Sequence, residues 1–158
     1  GLRLAAAVAQ GFGLAADVPL LPVSSLLSLA EHARRSYGVQ RSLVAVDARM
    51  GEVYSAAFEA GAEGLTLAAP ERLCSPGGLR APGRPGWTAV GDGFAAYADA
   101  LAELTASADR ILPSLCPTAR DLFPQAASDL AAGRAAAPQH ALPVYLREDD
   151  AWQRRVGH

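Results

Sequence analysis

The sequence contains no lysine and no asparagine, and all 14 of its basic residues are arginines. Without lysine it cannot form a Walker-type phosphate loop or a Schiff base. Cysteine is nearly absent: Cys74 and Cys116 are too few for a disulfide scaffold, and their separation fits no metal spacing. The three histidines, His32, His140 and His158, are scattered, so no local cluster assembles the four N or S ligands of a structural zinc. This usage points to a reduced, cytoplasmic compartment. Charged residues make up 19% and the formal net charge is −2, which gives no general field for capturing nucleic acid and leaves only a local basic patch. No run is long and apolar enough to span a bilayer. No G-x-S-x-G, H-E-x-x-H or C-x-x-C occurs, and no spacing nominates a catalytic triad.

What is present is apolar and small. Of 158 residues 51% are hydrophobic and about a fifth are alanine, enough for one domain or two small lobes with a sizeable core. The chain opens without Met, in GLRLAAAVAQGFGLAAD. A positive charge, an apolar run and Ala15-Ala16 also fit a signal peptide, but Gln10, Gly11 and Gly13 interrupt that run. The spacing predicts an amphipathic helix from Leu2 to Ala16, with Ala5, Val8, Ala9 and Phe12 on one face. Such a helix is either an ordinary core helix or one shared with a partner subunit.

Val18 to Val23 has the composition of a short strand, kept irregular or at an edge by Pro19 and Pro22. Ser24 or Ser25 then caps a helix carrying Leu26, Leu29, Ala30, Ala33 and Tyr37, which Gly38 stops. Arg34 and Arg35 complement the end of its dipole and are expected on a solvated face. SLVAVDA (42–48) predicts a buried strand, Arg49-Met50-Gly51 a tight turn, and 52–58 the returning strand. A weaker strand follows near 65–73, then a Pro/Gly-rich loop from Ser75 to Gly86 with about one helical turn. Trp87 to Val90 is a strand leading into Gly91-Asp92-Gly93 and a helix with Phe94, Tyr97, Ala98, Leu101 and Leu104 on one face. Arg110 to Leu112 is a short strand. Thr118 and Asp121 have capping-box spacing and open a helix bearing Leu122, Phe123, Ala126 and Leu130, ended by Gly133. ALPVYLR (141–147) looks extended.

Three meandering strands followed by alternating strands and helices make an α/β lobe of the actin-like ATPase (ribonuclease H-like) kind. Residues 1–40 are then a truncated first lobe, 41–135 the second lobe and 136–158 a C-terminal tail. In such folds a hairpin turn approaches phosphates, glycine allowing close backbone contact and an Asp orienting metal-bound water, and Asp47 and Gly51 of DARMGEVY are in suitable places. The turn is not glycine-rich, so Arg49 and Glu52 serve equally well to hold the hairpin or face a partner. Gly91–Gly93 is an alternative anion site, though Asp92 more simply caps the following helix.

Four stretches taken together resemble the bacterial TsaB (YeaZ) family: GLRLAAAVAQGFGLAADVPLLPVSSL, VAVDARMGEVYSAAF, WTAVGDGF and ALPVYLR, in the family's order. The resemblance implies that Gly1-Leu2-Arg3 ends a glycine-rich family motif, and that the chain is amino-terminally truncated. It implies a non-catalytic subunit that forms N6-threonylcarbamoyladenosine in tRNA with the catalytic subunit TsaD and the ATPase TsaE. ATP and Mg then act in the partners, this chain holds no cofactor and no metal, and it meets tRNA only through the complex. A homodimer is the alternative pairing, and no membrane is involved. The implied interface lies on the first helix, with Arg3, Leu4, Ala7, Val8 and Gly11 as candidates. The family hairpin is Asp47, Arg49, Gly51, Glu52 and Tyr54, and the C-terminal motif is Pro143, Tyr145 and Arg147. A nucleotide-binding or phosphotransfer protein and a glycoprotease-like peptidase are the competing readings. A chain short of its opening strands is expected to self-associate.

Overall fold

The computed structural model describes residues 1–62 and 64–147. Contacts group them into two units, Val23–Ser128 and Gly1–Pro22 with the chain from Asp129 onward. This differs from a division at 40/41 and 135/136. Helix α2 (Ser25–Tyr37) packs on the central sheet, and the tail pairs with the opening segment. Residues 148–158 of the expected tail lie outside the described residues.

The larger unit is built on five strands, β1 (Arg41–Arg49), β2 (Glu52–Gly61), β3 (Gly64–Cys74), β4 (Thr88–Val90) and β5 (Arg110–Leu112). Their order is β3-β2-β1-β4-β5, with antiparallel pairing among the first three and parallel pairing of β1, β4 and β5. This is the arrangement of one actin-like lobe. The period of two sorts side chains onto its faces. Val44, Ala56, Phe58 and Val90 meet α2 through Leu26, Leu29, Ala30 and Ala33. Leu43, Ala45, Val53, Ala57 and Ala89 meet Leu79, Trp87, Phe94 and Leu101 on the other side. Both faces are covered, which is why β1 has a nearly continuous apolar run.

Helix α2 starts and stops as its sequence directs. The Ser24 hydroxyl accepts from the amides of Leu26 and Leu27, and Gly38 closes the helix at φ +69°. Arg34 and Arg35 do not form a merely solvated face. Arg34 pairs with buried Glu31 and Arg35 with buried Asp121, at 2.6 and 2.7 Å.

The helix expected after Gly93 is broken. α3 (Gly93–Ala96) and α4 (Ala102–Ser107) are separated by turns, and Tyr97 leaves the helical region at φ −126°, ψ 43°. Phe94 and Leu101 are buried all the same, so the apolar face is satisfied without a continuous helix. The Thr118–Asp121 capping box is present and opens a 3-10 turn (Ala119–Leu122) that continues into α5 (Phe123–Ala131). Its expected apolar face is not buried: Leu122, Phe123 and Leu130 are exposed.

In the smaller unit α1 (Leu2–Ala16) has the predicted bounds. No strand forms at 18–23. Leu20 makes an isolated two-way bridge with Ala136, and the prolines deny the segment further ladder bonds. ALPVYLR carries no regular secondary structure beyond the 3-10 turn Pro138–His140 that precedes it.

Candidate functional site

Helix α1 turns an unexpected side inward. Gly13 is its buried residue, and a Cβ there would lie 2.9 Å from Pro138 Cγ and 3.1 Å from the Val18 carbonyl oxygen. Gln10, one turn earlier, is half-buried and donates from Nε2 to the Ala141 carbonyl at 3.4 Å. The polar and smallest residues therefore seat the helix, and its larger apolar residues point outward. Leu4 is 70% exposed, Val8 50% and Phe12 72%, so the stripe through Ala5, Val8, Ala9 and Phe12 does not enter a core of the chain. The candidates Arg3, Leu4, Ala7, Val8 and Gly11 are all exposed. A Cβ built on Gly11 meets nothing within 4 Å.

Two of the sequence motifs meet here. The Arg3 guanidinium lies 5.3 Å from the ring centroid of Tyr145, a cation–π contact joining the first turn of α1 to the C-terminal motif. Pro143 and Arg147 are half-buried, and Tyr145, Leu142 and Val144 are exposed.

The hairpin between β1 and β2 is latched. Arg49, Met50 and Gly51 all have positive φ, of 63°, 57° and 76°. Only Gly51 takes this conformation without a Cβ penalty. The pairing shifts between Asp47 and Arg49, a bulge that re-aims the tip. Asp47 holds it: its carboxylate accepts from the Arg49 amide at 2.8 Å and the Tyr97 hydroxyl at 2.8 Å, and pairs with the Arg49 guanidinium at 3.2 Å. The Arg49 amide and then the Tyr97 hydroxyl hold the Asp47 carboxyl below its ordinary range, while that bond raises the Tyr97 phenol. Tyr54 packs against the α2 side of the core, so it supports the hairpin from within the sheet.

The Gly91–Gly93 turn does not carry the side-chain cap expected of Asp92. A Cβ on Gly91 would lie 2.3 Å from the Ala45 carbonyl oxygen, and one on Gly93 2.9 Å. Glycine is required because β1 passes directly over the turn. Asp92 does not cap its own helix; its carboxylate accepts from the Asp47 amide at 3.0 Å. Asp92, Asp47 and Tyr97 thus tie three loops together, with the Asp47 carboxylate committed to the turn.

Sequence reasoning missed one polar cluster. Asp121 is fully buried and accepts from the Thr118 amide (2.7 Å) and hydroxyl (2.9 Å), His32 Nδ1 (2.9 Å) and Arg35 Nε (2.8 Å). Burial alone pushes its carboxyl up, but the Thr118 amide, His32, Arg35 and the Thr118 hydroxyl together hold it far below the usual range. The capping box was the only legible sign; that α2 supplies the counter-charge was not. His32 and Asp121 have the geometry of a base and its orienting acid. Among the described residues no serine or cysteine hydrogen-bonds to His32, and no group of three His, Cys, Asp or Glu side chains is placed to hold a metal.

Residues 1–152 match the family described as TsaD, tRNA N6-adenosine threonylcarbamoyltransferase. The tRNA threonylcarbamoyladenosine biosynthesis protein TsaB of Escherichia coli (strain K12) is 37% identical over 168 aligned positions, covering 99% of this chain and 69% of that protein. The chain belongs to the TsaB family. Two solved structures agree with that membership. A Pseudomonas aeruginosa protein described as uncharacterized, with similarity to peptidase YEAZ, superposes with a TM-score of 0.84 at 34% identity, over 93% of this chain and 68% of that one. YeaZ from Pseudomonas aeruginosa gives 0.82 at 33%, over 92% and 68%. The TsaB likeness spans both units.

Proposed function

We propose that this chain is a non-catalytic subunit of the assembly that forms N6-threonylcarbamoyladenosine in tRNA. It docks through α1 onto a TsaD-type catalytic subunit, and a TsaE-type ATPase joins the complex. ATP and Mg act in those partners, tRNA is engaged through the complex, and the setting is the cytoplasm. The observation carrying this reading is the outward face of α1. Leu4 and Val8 are exposed beside Ala7 and Gly11, so apolar anchors lie next to small residues that let another helix approach closely. Among the described residues no helix is long and apolar enough to cross a membrane. The committed Asp47 carboxylate supports a hairpin that shapes the lobe without handling nucleotide.

The test is reconstitution. Produced together with a TsaD-type subunit from the same source, the chain is expected to co-elute with it. With the ATPase, threonylcarbamoyl-AMP and an unmodified transcript, it is expected to support threonylcarbamoylation of tRNA. Failure of both co-elution and modification would end this reading. Turnover of peptides by the isolated chain, dependent on one Ser or Cys, would replace it with the peptidase reading.

A further inference from the structure

Residues 72–91 hold three arginines and no acidic residue, within a chain whose net charge is −2. Two of the three converge. Arg72, on the edge strand β3, donates from an Nη nitrogen to the Gly78 carbonyl at 3.4 Å. Arg80 donates from one Nη nitrogen to the carbonyls of Gly77 and Leu79, at 2.6 and 2.7 Å. Both forks therefore rest on the backbone of the 3-10 turn Pro76–Gly78, and both side chains are exposed. Among the described residues neither has a carboxylate within ion-pair distance. Each guanidinium keeps most of its five donors for another acceptor.

The surroundings select the acceptor. Pro76 and Leu79 are buried beneath the turn, while Ser75, Gly77 and Gly78 are exposed. A Cβ on Gly77 meets nothing within 4 Å. The patch is therefore polar and cationic, and it lacks the apolar anchor on which protein–protein contacts depend. Its platform is firm. The loop after Arg80 is pinned by the Trp87 indole donating to the Pro82 carbonyl at 3.0 Å and by Arg41 donating to the Pro85 carbonyl at 2.6 Å. Two pre-placed guanidinium forks with no counter-charge are suited to phosphate oxygens.

We propose that Arg72 and Arg80, seated on the Pro76–Gly78 turn, contact the phosphodiester backbone of the RNA that the complex modifies. This rests on the reading of the chain as a subunit of a tRNA-modifying assembly, and adds to it a direct contact made by the chain itself. Such contacts position RNA and carry no sequence information.

The test is fluorescence anisotropy with a labelled unmodified tRNA transcript and the complex of this chain with its TsaD-type partner, over a salt series. Arg72→Ala with Arg80→Ala is expected to weaken RNA binding about tenfold. It should also flatten the slope of log affinity against log salt by about 1.5, as loss of two phosphate contacts requires. Arg72→Lys with Arg80→Lys is expected to keep most of the affinity. Unchanged affinity and slope in the alanine variant would overturn the proposal. So would weakened complex assembly with RNA affinity preserved, which would mark the patch as a protein contact. The RNA titration decides this site whether or not modification is observed, so the site and the proposed function fail separately.

Discussion

Asp121 shows how much one residue carries. Its carboxylate is buried and gathers donors from α2 and from its own turn, so removing its charge strands Arg35 and His32 beside a dry site. Asp121→Asn is expected to cost about 3 kcal/mol in denaturant unfolding, the low end for a broken buried pair because Arg35 reaches water. The pH dependence follows from the direction of its shift. The folded-state carboxyl lies below the unfolded value of about 3.9. Its contribution is therefore complete above that value and fades as the pH falls from there toward the folded-state value. Unfolding midpoints measured between neutral and acid pH are expected to fall for the parent chain and to flatten for Asp121→Asn. Gly91 is the second such position. With φ at +109° and the Ala45 carbonyl in the place of a Cβ, Gly91→Ala is expected to cost about 3 kcal/mol by the same measurement. Tyr97→Phe tests the latch itself. Without the phenol, the Asp47 carboxyl is expected to titrate closer to its ordinary range, read by NMR.

At the scale of elements, α2, β1 and β2 were legible because each carries its own instructions. Ser24 and Gly38 bracket α2, and the nearly continuous apolar runs in β1 and β2 match a sheet covered on both faces. The segment after Gly93 was misread because its apolar spacing is helical while its backbone is not. Tyr97 is half-buried beside Asp47, and its hydroxyl bonds a residue fifty positions away in sequence. Helix α1 was legible in extent and not in orientation, because Gly13 and Gln10 take the inward side and leave Val8 outward. The outward face gives an element-scale test. Val8→Arg is expected to weaken co-elution with the TsaD-type partner at least tenfold and leave the helix intact by circular dichroism, since residue 8 is already exposed.

Across the whole molecule, the exposed apolar residues have a collective consequence. In the smaller unit Leu2, Leu4, Val8, Phe12 and Leu14 lie on one helix and are all at least half exposed. A soluble monomer rarely leaves so much apolar helix surface uncovered. In the absence of a partner the chain is expected to self-associate with rising concentration in light scattering, and a TsaD-type subunit is expected to suppress that association. A concentration-independent monomer would remove the argument that this face requires a cover.

The residue order alone determined the bounds of α1 and α2 and the apolar runs of β1 and β2. Serine caps, glycine stops and short apolar runs act over a few positions, which is the range of a cap, a turn or a strand. It also carried the motifs that mark TsaB ancestry. The tertiary structure alone decided which polar groups meet: Asp121 with Arg35, Asp92 with the Asp47 amide, and Arg72 and Arg80 each with the backbone of one turn. Those pairings depend on distances closed by folding, and a charge has no preferred partner until the backbone brings one within reach.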